Sequence, residues 1–155
     1  MKNLKEFVAA IIENGGATYN LANGGTVDKG YMVSKKGFEM KFQPEVDVTQ
    51  AVCQFILEES KVDVTQAVCQ FIKEFGFELY EVENFMGAWI DEGVLYLDVS
   101  NNFAKRSDAI REGYKNEQLA IFDVVAQESL YLPTPQKTGT MTQQQSFINF
   151  QIDNL

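Results

Sequence analysis

Residues 85–100 read FMGAWIDEGVLYLDVS, and this stretch predicts a β-hairpin. Residues 85–90 and 94–100 are rich in aromatic, aliphatic and β-branched side chains, which favour extended strands. Asp91, Glu92 and Gly93 lie between them and supply turn-forming residues. A hairpin of this kind indicates an antiparallel sheet.

The N-terminal segment predicts a helix. Asn3 can cap its start with Glu6 as the capping partner, and Gly15–Gly16 can end it in a left-handed conformation. The apolar face has helical spacing and consists of Leu4, Phe7, Val8, Ile11 and Ile12.

Short strands and one more helix account for most of the remaining pattern. Strands are predicted at residues 17–21, 31–34, 38–42, 77–82, 119–126 and 130–132, and a helix at residues 106–116. Lys35–Lys36–Gly37 would be the turn of another hairpin, and Gly76 would end the helix before residue 77. Ser107 or Asn102 would cap the last helix. Because hairpins dominate, the predicted fold class is α+β, an antiparallel sheet with helices packed on one face.

Residues 46–56 and 62–72 both read VDVTQAVCQFI, an exact internal repeat sixteen positions apart. Long-diverged copies would differ, so the duplication is recent, engineered or a sequence error. Each copy predicts a helix, with Asp47 and Asp63 as the N-caps. A strand is the alternative, because VDVTQAV alternates and is rich in β-branched side chains.

The spacing of the copies has a geometric consequence. A shift of sixteen residues is about 4.4 helical turns, so one continuous helix would point the two apolar faces about 160° apart. Either the chain breaks at Ser60–Lys61, or one apolar face needs a cover, most simply another chain. The repeat is therefore predicted to alter the helix layout or the oligomeric state, with a homodimer through the repeated helices as one hypothesis.

The predicted domain organisation is a single α+β domain over residues 1–132, followed by a flexible Thr/Gln-rich tail over residues 133–155. Pro133 and Pro135 mark the boundary. The last nine residues regain apolar character. They predict either a strand at the sheet edge or a docking peptide for a partner.

The chain has 155 residues and a net charge of −9, and residues 42–98 alone carry −10. A solvated face that aids solubility is one interpretation. The other is a surface that attracts a basic partner and that, as in DNA-mimic proteins, can occupy a nucleic-acid channel. The predicted interaction residues are Glu74, Glu78, Glu81, Glu83, Trp89, Asp91 and Glu92.

Several chemistries have no support in the sequence. The chain has no His, which excludes a His-based triad, a zincin motif and a Cys/His zinc finger. The glycine pairs match no nucleotide-binding motif, and Cys53 and Cys69 form no C-x-x-C. We therefore expect no catalytic residue, no cofactor and no metal ligand. The absence of a long apolar run predicts a soluble, cytoplasmic protein without membrane contact.

The function expected from the sequence is a small acidic, non-enzymatic interaction or regulatory module. Its partner would be a basic or nucleic-acid-handling protein, without direct binding of nucleic acid. Size and acidity suit an accessory protein of a phage or mobile element. One alternative is a cation-binding or catalytic domain that uses Asp91, Glu92 and Asp98. Another is an engineered duplication.

Overall fold

The computed structural model describes residues 3–43 and 62–133, and these residues form three helices and six strands. The strands make one antiparallel sheet, so the predicted α+β class is confirmed. No helix in these two ranges is long and apolar enough to span a bilayer. The first repeat copy with its cap Asp47, and the tail beyond residue 133, lie outside the described residues.

The helices are α1 (Leu4–Asn14), α2 (Val64–Leu79) and α3 (Arg106–Lys115). The strands are β1 (Gly16–Tyr19), β2 (Tyr31–Phe42), β3 (Asn84–Asp91), β4 (Val94–Phe103), β5 (Ala120–Asp123) and β6 (Glu128–Tyr131). Their order across the sheet is β1-β3-β4-β2-β5-β6.

All three helices pack on the same face of the sheet. Side chains alternate between the two faces of a strand, and residues paired across strands share a face. Leu97 on β4 belongs to the core beneath α1 and α2, and Val33 on β2 belongs to the smaller core beneath α3. The pairing registers place both residues on one face, which we call the helix-covered face. Trp89, Tyr96 and Asp98 lie on the opposite face.

Helix α1 begins and ends at capping residues. The Asn3 Oδ1 atom accepts a hydrogen bond from the backbone N–H of Glu6 at 3.0 Å. Gly15 has φ +75°, and its N–H bonds the Ile11 carbonyl at 2.9 Å. Phe7 and Ile11 are fully buried, as the helical spacing of this segment requires.

Helix α2 contains the second repeat copy and extends further than predicted. Asp63 caps it by accepting a hydrogen bond from the Gln66 N–H at 3.0 Å. Phe75 departs from helical geometry with φ −114°, but the helix continues to Leu79. The prediction that Gly76 ends the helix and that residues 77–82 form a strand is therefore wrong. Leu79 lies two turns after Phe71 on the same buried stripe, and the packing of this stripe outweighs the alternation in FELYEV.

Strand β2 replaces the predicted hairpin at residues 31–42. Ser34 pairs with Ser100 and Glu39 pairs with Asp98, so four residues of β2 face only Val99 of β4 between these pairs. Lys35–Lys36–Gly37 is thus a large bulge within one strand, with Gly37 at φ +85°. The hairpin prediction was wrong because both halves of the segment pair with β4 and not with each other.

The hairpin of β3 and β4 agrees with the prediction made from residues 85–100. Asp91 pairs with Val94, and Glu92 and Gly93 form a two-residue loop with φ of 47° and 79°.

The start of α3 and the end of β5 differ from the predictions made from the sequence. Lys105 precedes α3 without a side-chain cap, so the predicted caps at Ser107 or Asn102 are wrong. The predicted strand at residues 119–126 is limited to β5, because residues 124–127 turn into β6.

Candidate functional site

The predicted acidic residues fall into two groups at opposite ends of β3. Glu74 and Glu78 lie on α2, and Glu81 and Glu83 lie in the turn that leads into β3. The second group is at the β3–β4 hairpin end and consists of Asp91 and Glu92. The eight residues of β3 span about 23 Å, so the two groups do not form one continuous acidic surface.

Exposed apolar side chains lie within the first group. Phe77 is 89% exposed, Val82 68% and Tyr80 65%. Phe77 lies in the last turn of α2 and Tyr80 is the residue that follows its end. The two are three positions apart and therefore neighbours, away from the buried stripe. The apolar trio Phe77, Tyr80 and Val82 and the carboxylates Glu74, Glu81 and Glu83 are called the α2-turn patch below.

The turn between α2 and β3 is fixed by asparagine side chains. The Asn20 Nδ2 atom donates to the carbonyls of Val82 at 2.7 Å and Asn84 at 3.0 Å. The Asn84 Nδ2 atom donates to the Glu78 carbonyl at 2.8 Å, and the Asn101 Nδ2 atom donates to the Glu83 carbonyl at 2.9 Å. Asn20 and Asn84 are buried, so the turn is held from within the fold.

Glu78 has a structural partner and is not part of the exposed group. The Lys35 Nζ atom lies 2.6 Å from Glu78 Oε1 and 3.3 Å from Asn84 Oδ1. Lys35 belongs to the bulge of β2, so the bulge is tied directly to the end of α2. The next residue, Lys36, donates from its backbone N–H to Asn116 Oδ1 at 3.2 Å, just after α3.

Trp89 lies on the opposite face of the sheet, apart from the α2-turn patch. Its ring stacks on Tyr96 with centroids 5.1 Å apart and an interplanar angle of 3°. The Lys41 Nζ atom lies 5.1 Å from the centroid of the Tyr96 ring. The side chain is 43% exposed and available for contact, but the structure does not bring it together with Glu81 or Glu83.

Asp98 is buried on the same face as Trp89, in the middle of the sheet. Its carboxylate accepts hydrogen bonds from Ser34 Oγ at 2.7 Å and Ser100 Oγ at 2.9 Å. A Cβ atom at Gly87 would lie 2.5 Å from Asp98 Oδ1, so the absence of a side chain at Gly87 makes room for the carboxylate. Burial raises the pKa of Asp98 above its usual value, and the nearby Glu39 raises it further. Both serines lower the pKa, but burial prevails.

The sheet carboxylates do not converge on a metal site. Within residues 3–43 and 62–133, no three Cys, Asp or Glu side chains are grouped so that they could hold a metal ion. Two of the three bases on α3 form ion pairs with acids of the same helix: Arg111 pairs with Asp108 at 3.2 Å and Lys115 with Glu112 at 2.8 Å. A surface of this kind is solvated and carries both signs of charge.

The sequence interpretation identified the carboxylates of the α2-turn patch but not its apolar members. Phe77, Tyr80 and Val82 were assigned to a strand, where Phe77 would lie on one face and Tyr80 and Val82 on the other, so that one of these faces would be buried. The available signal was the four-residue spacing of Phe71, Phe75 and Leu79, which continues the helix and turns Phe77 outward.

Comparison of the chain with protein-family models, with curated proteins and with solved structures gives no match. The geometry described above therefore stands as the basis for assigning a function.

Proposed function

We propose that this protein is a small, acidic, non-enzymatic module that binds a basic protein partner through the α2-turn patch. The observation that carries the proposal is the exposure of Phe77, Tyr80 and Val82 among carboxylates. Exposed apolar side chains are individually common, but three within six residues, two of them aromatic, are typical of a contact surface.

Charge determines the kind of partner. No Lys or Arg occurs between Glu74 and Ala104 in the sequence. The one base of α2 is Lys73, and Lys35, which reaches the end of this helix, is paired with Glu78. A partner surface rich in Lys or Arg would be attracted over several ångströms and then oriented by Glu74, Glu81 and Glu83. Like charges would repel an acidic partner, and a nucleic-acid backbone would be repelled as well.

The aromatic side chains supply most of the expected binding energy. Tyr and Phe bury large areas at low conformational cost, and a few such residues dominate most interfaces. The carboxylates around them contribute mainly to the rate and specificity of association. The separation of the two acidic groups along β3 favours one compact contact over a long charged surface.

The broader expectations from the sequence remain predictions. A cytoplasmic location fits the exposed side chain of Cys69, which forms no disulfide with another described residue. A role as an accessory protein of a phage or mobile element rests on size and acidity. A homodimer through the repeated helices depends on the first copy, which lies outside the described residues.

The experiment begins with a photo-crosslinking amino acid, p-benzoylphenylalanine, at position 77 of the full chain. The protein crosslinked in an extract of the source cells is then purified and titrated by calorimetry against the wild type and two patch variants. These are Phe77→Gln/Tyr80→Gln and Glu74→Lys/Glu81→Lys/Glu83→Lys. The matched control is Ile12→Gln/Glu13→Lys, which removes an exposed apolar side chain and an adjacent carboxylate on α1.

The proposal predicts that the aromatic variant binds about 30-fold more weakly or worse, since two central aromatic side chains are lost. The charge-reversed variant should lose most affinity at low salt, where attraction is least screened. The control variant should bind like the wild type. Equal affinities of the patch variants and the wild type would refute the proposed function.

A further inference from the structure

Four main-chain carbonyls at the turn between α2 and β3 accept hydrogen bonds from the protein itself, namely those of Glu78, Glu81, Val82 and Glu83. The Glu78 carbonyl accepts from the Glu81 N–H at 3.2 Å, and the Glu81 carbonyl accepts from the Asn84 N–H at 3.0 Å. The Val82 and Glu83 carbonyls accept from Asn20 and Asn101, as described above. Because these four carbonyls are engaged within the fold, the turn is a poor site for a partner strand to pair with.

The asparagine side chains that bond the turn also accept hydrogen bonds from other parts of the chain. The Asn20 Oδ1 atom accepts from the Asn23 N–H at 3.0 Å, and the Asn20 backbone bonds Gly24 and Gly25. The Asn84 Oδ1 atom accepts from Asn101 Nδ2 at 2.6 Å and from Lys35 Nζ at 3.3 Å. The turn therefore rests on three separate parts of the chain, namely the loop after β1, the bulge of β2 and the end of β4.

We infer that Asn20, Lys35, Asn84 and Asn101 are positioning residues that hold the α2-turn patch as a rigid projection, and that this projection fits a folded partner with an apolar cleft rimmed by Lys or Arg. The inference rests on the proposed function and names its partner class. A surface that is rigid before binding loses less conformational entropy when the complex forms.

The strong exposure of the apolar side chains in the patch favours a partner surface with a cleft that encloses them. Phe77 is 89% exposed and Val82 68%, so most of each side chain extends into solvent, away from the rest of the described fold. Burying them requires a concave surface on the partner, and Glu74, Glu81 and Glu83 would then meet the rim of that cleft. Bases on the rim satisfy the three carboxylates, whereas an apolar rim would desolvate them without compensation.

The first test concerns the positioning residues and needs no partner. Lys35→Met and Asn101→Ala remove one support each, and Lys35→Arg retains the charge at the same place. Hydrogen exchange of the Glu81 and Asn84 amides should become faster in the first two variants, by about fivefold, and stay near the wild-type rate in Lys35→Arg. Circular dichroism serves to verify that the variants are folded. Unchanged exchange in folded Lys35→Met and Asn101→Ala would contradict the positioning role.

The second test uses the partner crosslinked through position 77. Lys35→Met should weaken its binding about fivefold, and Lys35→Arg should restore it, although no residue of the patch is altered. If Phe77→Gln/Tyr80→Gln weakens binding but Lys35→Met does not, the proposed function stands and this inference fails. If neither weakens binding, the proposed function itself fails.

The partner class is tested with the whole crosslinked protein and with a synthetic peptide that contains only its crosslinked segment. A cleft exists only in the folded protein, so the peptide should bind at least about 100-fold more weakly, because its segment must be ordered on binding. Equal affinity of the peptide and the whole protein would mean that the patch takes a linear segment, and would overturn the cleft.

Discussion

The ring of Phe75 on α2 packs edge-on against the ring of Phe38 on β2, with centroids 5.5 Å apart. The ring of Phe75 also packs against that of Phe71, the one aromatic residue of the second repeat copy, with centroids 5.0 Å apart. The position that corresponds to Phe75 after the first copy is Glu59. The two copies have identical sequences, so only the residues that follow each copy can make one of them pack better than the other against Phe38.

This difference predicts the outcome of two deletions of equal length. Removing residues 46–61 retains Phe75, whereas removing residues 62–77 puts Glu59 in its place and Lys61 in the place of Phe77. We expect the first protein to unfold near the wild-type urea midpoint. The second should lose about 2–4 kcal/mol, because a half-buried aromatic ring is replaced by a carboxylate. Urea unfolding followed by circular dichroism measures both, and equal stabilities would argue against a core specific for the second copy.

A second prediction distinguishes the helix at residues 77–79 from a strand. In a strand Phe77 and Leu79 would share one face, but in α2 Leu79 is fully buried and Phe77 is exposed. Leu79→Asp should therefore cost more than about 3 kcal/mol of unfolding free energy, and Phe77→Asp less than about 0.5 kcal/mol. Similar losses for the two variants, measured by urea denaturation, would contradict the register of α2.

The sequence predicted the strand pairing correctly where two neighbouring β-rich runs pair with each other. Residues 85–100 offered two β-rich runs and a turn with a glycine, and the hairpin followed. At residues 31–42 the sequence resembled this pattern, but alternation does not indicate whether two runs pair with each other or with a third strand. Only the position of β4 between β3 and β2 decides that question.

The sequence predicted the carboxylates of the α2-turn patch but not the residues that support its turn. Carboxylates are conspicuous in a stretch without bases, so Glu74, Glu81 and Glu83 could be selected from composition alone. The supports of the turn could not, because Asn20 and Lys35 are more than forty residues away in sequence from the groups they bond. Long-range hydrogen bonds of this kind leave no local pattern.

The close approach of Gly87 and Asp98 gives a third prediction. A methyl group at position 87 would lie 2.5 Å from Asp98 Oδ1, so Gly87→Ala should destabilise the protein by about 1–3 kcal/mol. In an Asp98→Ala background the space is free, and the same change should cost much less. The double-mutant cycle, measured by urea unfolding, should give a coupling energy above about 1 kcal/mol. Additive losses would show that the two positions do not compete for space.

The raised pKa of Asp98 gives a fourth prediction, on the pH dependence of stability. Burial keeps the proton on Asp98 in the folded protein at pH values at which the unfolded chain, with a pKa near 3.8, has released it. The folded state then binds more protons than the unfolded state, so the contribution of Asp98 to stability falls as pH rises from 3.8 through the folded pKa. Each unit by which the two pKa values differ corresponds to about 1.4 kcal/mol.

Asp98→Asn removes this titration while retaining an oxygen that can accept a hydrogen bond from Ser34 or Ser100. The stability of the Asn variant relative to the wild type should therefore increase between about pH 4 and about pH 7, because only in the wild type does the unfolded chain release a proton that the folded protein holds more tightly. Urea unfolding of both proteins at the two pH values isolates the effect, since all other titrating groups are common to them. A relative stability of Asp98→Asn that decreases with pH would mean that the serine hydrogen bonds, and not burial, dominate the ionisation of Asp98.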